Sequence, residues 1–189
     1  TYIGLVEVGV GLIPAGGGTK EMALRAAQGQ TPQIQRYWLT QFYETLAFGK
    51  VSSSALEAKT MQFLAAEDDV VMNELELLDA AHQVANYRGQ FAYRVPIAPK
   101  IRVEGKEGLA LFKSQLVNLR EGNFISDHDY LIGEKLAYVL CGGDIEQGQL
   151  VSEDWLLQLE REAFMSLLAT EKTQQRMQHT LKTGKPLRN

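Results

Sequence analysis

The stretch GLVEVGVGLIPAGGGTK, residues 4–20, constrains this chain more than any other, because it sets one acid among apolar neighbours and then breaks regular structure repeatedly. Leu5, Val6, Val8 and Val10 flank Glu7. They predict a carboxylate held against apolar surface, where desolvation penalises the charge and favours general acid or base chemistry. Gly9 and Gly11 open backbone conformations closed to other residues, Pro14 fixes one φ, and Gly16-Gly17-Gly18 lets the backbone approach another group closely. Thr19 is expected to cap a helix starting at Lys20.

Two phosphate-binding patterns fail on the letters. A Walker loop requires Lys-Ser/Thr after its last glycine, and here the order is Gly17-Gly18-Thr19-Lys20. A dinucleotide fingerprint requires a glycine three places after Gly11, where Pro14 stands.

The remainder reads as helices. Ile34, Trp38, Phe42 and Leu46 recur every four residues and predict a helix over 32–48 with a bulky face. A serine among Ser52–Ser54 caps a helix to about Leu64, Val70-Val71-Met72 forms a short strand or turn, and a helix follows from about Glu74 to Arg88. Gly89 to Gly105, with Pro96 and Pro99, reads as a connection between subdomains 1–88 and 106–189. Leu109, Phe112, Leu116 and Leu119 mark a helix ending at Gly122; Ser126 starts another to Gly142, Ser152 a third to Thr170, and a last runs from Glu171 to Lys182. The expected fold class is mainly α.

Other clusters read as structural. Asp127-His128-Asp129 caps a helix, since three consecutive residues cannot all face one ion, and no metal is expected. His82 and His179 lack a ligand at i±4. Cys141 reads as a small buried hydrophobe. Glu160 and Glu162 read as solvent-facing or interface charges on their helix rather than a catalytic pair. A net charge of −4 gives no basic footprint for nucleic acid or a membrane surface, and no uncharged run approaches a bilayer span. One cysteine fits a reducing cytoplasm. The chain opens on Thr1, in what reads as a β-strand, so the expectation is a piece of a longer protein.

Glu7, Gly11-Leu12-Ile13-Pro14 and Gly16-Gly17-Gly18-Thr19 resemble the enoyl-CoA hydratase/isomerase (crotonase) superfamily, in which a catalytic glutamate precedes a leucine-rich turn and a proline-glycine-glycine-threonine segment. The wording, with the ending LKTGKPLRN, is similar to the hydratase-like carboxy-terminal region of large bacterial 3-hydroxyacyl-CoA dehydrogenases of fatty-acid β-oxidation. The resemblance implies the helical end of a crotonase-like ββα spiral, truncated, with little residual strand and a helical extension. It implies Glu7 as the second of two catalytic glutamates, Gly16 and Gly17 at the substrate, and Lys185, with Lys182 behind it, near the coenzyme A 3′-phosphate. Acyl-CoA is the implied substrate, and NAD belongs to a dehydrogenase region elsewhere in the longer protein. Assembly as a homo-oligomer is implied as well, and a helical interaction module without activity of its own is the competing expectation.

Overall fold

The computed structural model describes residues 2–91 and 93–189, so Thr1, where the expected opening strand begins, lies outside them. The described residues are mainly helical, with four two-residue strands among them: β1 (Ile3–Gly4), β2 (Val51–Ser52), β3 (Ile101–Arg102) and β4 (Leu150–Val151). β1 pairs with β2, and β3 pairs with β4 antiparallel, Ile101 opposite Val151 and Arg102 opposite Leu150. The helices are α1 (Gly18–Ala27), α2 (Pro32–Ala47), α3 (Ala55–Thr60), α4 (Leu77–Phe91), α5 (Gly105–Glu121), α6 (Asp127–Leu140), α7 (Glu153–Leu168) and α8 (Glu171–Thr183).

Two compact units are present. One comprises Ser52–Ala98 with the short stretch ending at Ile3; the other comprises Gly4–Val51 and Pro99–Asn189. In the first, Ser54 caps α3 through the amide of Glu57. The expected extension to Leu64 is cut short because Gln62 takes a positive φ of 59°. Val70-Val71-Met72 forms no strand. A single 3₁₀ turn, Glu74–Glu76, leads into α4, which continues through Gly89 and buries no residue.

The larger unit holds the core. α1 packs on α2, α6 and α7, α5 on α6, and α8 on α7. Ser126 and Asp129 form a reciprocal capping box on α6, while Ser152 and Thr170 accept from the third amide of α7 and α8. Leu136, Leu140, Leu156 and Leu167 are fully buried, each contributing roughly 2 kcal/mol relative to exposure. The stripe that α2 buries is Leu39, Phe42, Tyr43 and Leu46, whereas Ile34 and Tyr37 remain exposed. Tyr43 stacks on Phe112 with centroids 4.2 Å apart. Gly133 makes this approach possible, since a Cβ there would stand 2.7 Å from Leu116 Cδ2 and 3.0 Å from the Tyr43 hydroxyl.

Candidate functional site

The segment around Glu7 is a turn rather than the expected strand. Glu7–Val10 form a 3₁₀ turn closed by Gly11, whose φ of 88° is open to glycine. The Gly11 amide donates to the Val8 carbonyl and the Leu12 amide to that of Glu7, both at 3.1 Å. Among the described residues, Glu7 Oε2 is the buried side-chain oxygen with no hydrogen-bond partner. A buried carboxylate oxygen without a donor is costly to leave in place, so the orphaned atom marks Glu7 as a candidate for chemistry.

The glycine run is built differently from the expected cap. Thr19 does not cap α1: its hydroxyl is buried and donates to the Pro14 carbonyl at 2.7 Å. The cap comes from Glu160, 140 residues further on, whose Oε1 accepts from the Gly17 amide at 2.7 Å and whose Oε2 accepts from the Lys20 amide at 3.0 Å. Glu160 is 2% exposed, which overturns the solvent-facing alternative for it; Glu162 is exposed. The physical reason is complementarity. A carboxylate at a helix start satisfies orphan amides and meets the positive end of the dipole. Position 160 also falls on the stripe of Leu156, Leu159, Ala163 and Leu167, the sequence signal that marks it as inward-facing.

A second buried polar cluster lies behind the turn. Thr173 and Arg176, both fully buried, face it from α8. The Thr173 hydroxyl donates to the Gly11 carbonyl at 2.8 Å and lies 2.9 Å from His128 Nε2. Arg176 Nη1 donates to Asp129 Oδ1 at 2.8 Å, Nη2 to the Ser126 hydroxyl at 3.3 Å, and Nε to Asn189 Oδ1 at 2.8 Å. Arg188 also donates to Asp129 Oδ1 at 2.8 Å.

Burial, followed by the charges of Arg176 and Lys172, holds the His128 imidazole below its ordinary value of 6.5. Burial opposes the Asp129 charge, but hydrogen bonds from Arg176 and the Ser126 backbone, with the nearby guanidinium charges, outweigh it and hold the carboxyl below 3.8. In both cases the unfolded chain binds more protons than the folded one on the acid side, so stability falls as pH falls. The expected urea midpoint is level between pH 6.5 and about 9, where the raised Cys141 thiol begins to act, drops as the pH moves down through the His128 window, and drops again below 3.8. His128→Gln should remove the first drop alone.

Gly16 is exposed at a φ of 71° with open space beside its Cα, and the amide of Gly17 is taken by Glu160. The Lys185 backbone bonds to the hydroxyls of Thr180 and Thr183, and its residue is exposed at the end of α8. The structure therefore brings Gly16 and Gly17 into the segment that follows Glu7, while Lys185 comes just after Gly184, the C-cap of α8. A cavity of about 990 Å³ borders the turn through Val8, with Phe48, Leu119, Phe124 and Ile132 among its walls. Cys141 is a buried free thiol, its pKa pushed up by burial and by Glu104. Among the described residues no three His, Cys, Asp or Glu side chains are placed to hold a metal ion, and no helix is long and apolar enough to cross a membrane. The start of α1 does not fit a nicotinamide dinucleotide: Glu160 already answers the Gly17 and Lys20 amides and would repel a pyrophosphate.

The chain is 43% identical over 188 residues to the Probable 3-hydroxyacyl-CoA dehydrogenase of Bacillus subtilis (strain 168), a similarity that spans all of this chain and 24% of that protein. The chain thus spans about a quarter of the length of the relative it matches. No family model matches it, and no solved structure does.

Proposed function

We propose that this chain is the hydratase-like portion, at the carboxy-terminal end, of a longer 3-hydroxyacyl-CoA dehydrogenase of fatty-acid β-oxidation, and that Glu7 acts there on acyl-CoA thioesters. The observation that carries the reading is the unpartnered, buried Oε2 of Glu7 beside a glycine turn, in a stretch whose letters resemble the crotonase pattern. In the proposed reaction water adds across the 2,3-double bond of a 2-enoyl-CoA. Glu7 takes a proton from the water as its oxygen bonds to the β-carbon, and the α-carbon receives a proton from a second acid outside this chain. Backbone amides outside this chain hold the enolate oxygen. The product, a 3-hydroxyacyl-CoA, is the class of substrate named for the relative, and NAD serves that oxidation in another region. The apolar cavity bordered by Val8 has the volume of a site for an acyl chain, and the free Cys141 fits a reducing cytoplasm.

The test is hydration of a short 2-enoyl-CoA. The longer protein should catalyse it and the isolated 189 residues should not, because the proposed reaction needs a second acid and enolate-binding amides from outside them. A longer protein that oxidises 3-hydroxyacyl-CoA yet never hydrates the enoyl thioester would overturn the reading.

A second reading, a helical module for self-association, is favoured by one observation. α4 buries no residue, and Leu78, Tyr87 and Phe91 on it are 81%, 64% and 75% exposed. Sedimentation velocity across a range of concentrations should then show a growing oligomer; a strict monomer at every concentration removes this reading.

A further inference from the structure

We infer that Thr173 is a positioning residue for Glu7, acting through the carbonyl of Gly11, an inference that rests on the catalytic reading of Glu7. The geometry is direct. Gly11 closes the 3₁₀ turn that begins at Glu7, its amide bonding to the Val8 carbonyl while the next amide, of Leu12, returns to the Glu7 carbonyl. The outward carbonyl of Gly11 is held by the Thr173 hydroxyl at 2.8 Å across 162 residues of sequence. That hydroxyl has one proton, and it is spent on Gly11, so the contact of 2.9 Å with His128 must be made by a proton on His128 Nε2. His128 thereby fixes the rotamer of Thr173, and Thr173 fixes the turn.

The fit leaves no slack. A Cβ on Gly11 would stand 2.8 Å from Thr173 Oγ1 and 3.1 Å from its Cα. The far end of the same segment is pinned independently, with Glu160 of α7 on the amides of Gly17 and Lys20. The α7 and α8 pair therefore pins the stretch from Glu7 to Lys20 at Gly11 and again at Gly17 and Lys20. Oε2 of Glu7 has no hydrogen bond to aim it, and its direction is set by the turn that carries it. Misplacement of a reacting group by about 1 Å can cost on the order of a hundredfold in rate.

The experiment uses the longer protein with Thr173→Val, which keeps the shape and removes the hydroxyl, and Thr173→Ser, which keeps the hydroxyl. Thr173→Val should raise hydrogen exchange at the Leu12 amide about tenfold and lower kcat for enoyl-CoA hydration by roughly tenfold to a hundredfold with KM nearly unchanged. Thr173→Ser should recover most of both. Unchanged exchange at Leu12 in Thr173→Val overturns the inference whatever the activity, and so does faster exchange with unaltered kcat in a protein that Glu7→Gln inactivates. Should Glu7→Gln itself leave hydration intact, the catalytic reading of Glu7 fails, and a positioning role for Thr173 in that reaction fails with it. The exchange data then still separate a held turn from a free one. Where Thr173→Val does not fold, Thr173→Ser against His128→Gln gives the same comparison, since loss of the His128 contact frees the hydroxyl without removing it.

Discussion

Glu7→Gln in the longer protein is expected to lower kcat for hydration of a 2-enoyl-CoA by about two to four orders of magnitude, the range that a positioned general acid or base contributes, with KM within a few-fold. Glutamine matches the shape of glutamate and leaves the backbone bond from the Leu12 amide to the residue 7 carbonyl in place, so the turn should persist. What disappears is the capacity to accept a proton. Because Oε2 has no donor in the fold, the exchange sacrifices no hydrogen bond. It exchanges one unpartnered buried polar atom for another, so stability should change by less than about 1 kcal/mol. Oxidation of 3-hydroxyacyl-CoA by the same protein is the internal control and should not change. Turnover equal to that of the unaltered protein would show that Glu7 and its glycine turn carry no chemistry.

Local physics made much of the helical layout readable in advance. Ser54, Ser126, Ser152 and Thr170 each lead a helix because their side-chain oxygens answer nearby amides, a relation that spans three residues and is visible in the letters. The apolar spacing of 109–119 and 156–168 likewise fixed which faces turn inward. The helix at 18–27 shows where that logic ends. Thr19 is a good cap by type, yet Pro14 claims its hydroxyl and Glu160 supplies the cap from a distance no local pattern reports. The periodicity of α7 did place Glu160 on the buried stripe, and its charge argued for solvent; the amides of Gly17 and Lys20 decide the conflict. Arg176 and Thr173 stand three apart in a helix whose text is mostly polar, so their burial depends on Gly11, Ser126 and Asp129 arriving from elsewhere. Of the candidate site, Glu7 and its glycines were named from the letters; the 3₁₀ turn they form and the α7 and α8 side chains that hold it were not.

Arg176→Met should be the most destabilising single change in the larger unit, by about 3 to 5 kcal/mol, the cost of breaking a buried pair by deleting one partner. At roughly 2 to 4 °C per kcal/mol for a chain of this size, the melting temperature by circular dichroism should fall by roughly 6 to 20 °C. Arg176 is fully buried and donates in three directions, to Asp129, Ser126 and Asn189. Methionine fills most of the stem and removes every donor. Asp129 would keep Arg188 at 2.8 Å, but that guanidinium is 57% exposed and solvent weakens its hold, which places the loss toward the lower end. Lysine should recover less than half of it, because one ammonium cannot reach three acceptors arranged around a planar fork. The deciding comparison adds Asp129→Asn to Arg176→Met. Asparagine keeps an oxygen for the Ser126 amide while removing the charge left behind, so the double variant should be more stable than the sum of the two single losses by about 1 to 2 kcal/mol. Strict additivity would mean that the arginine contributes through packing alone, and that the network behind the Glu7 turn is held by shape rather than by charge.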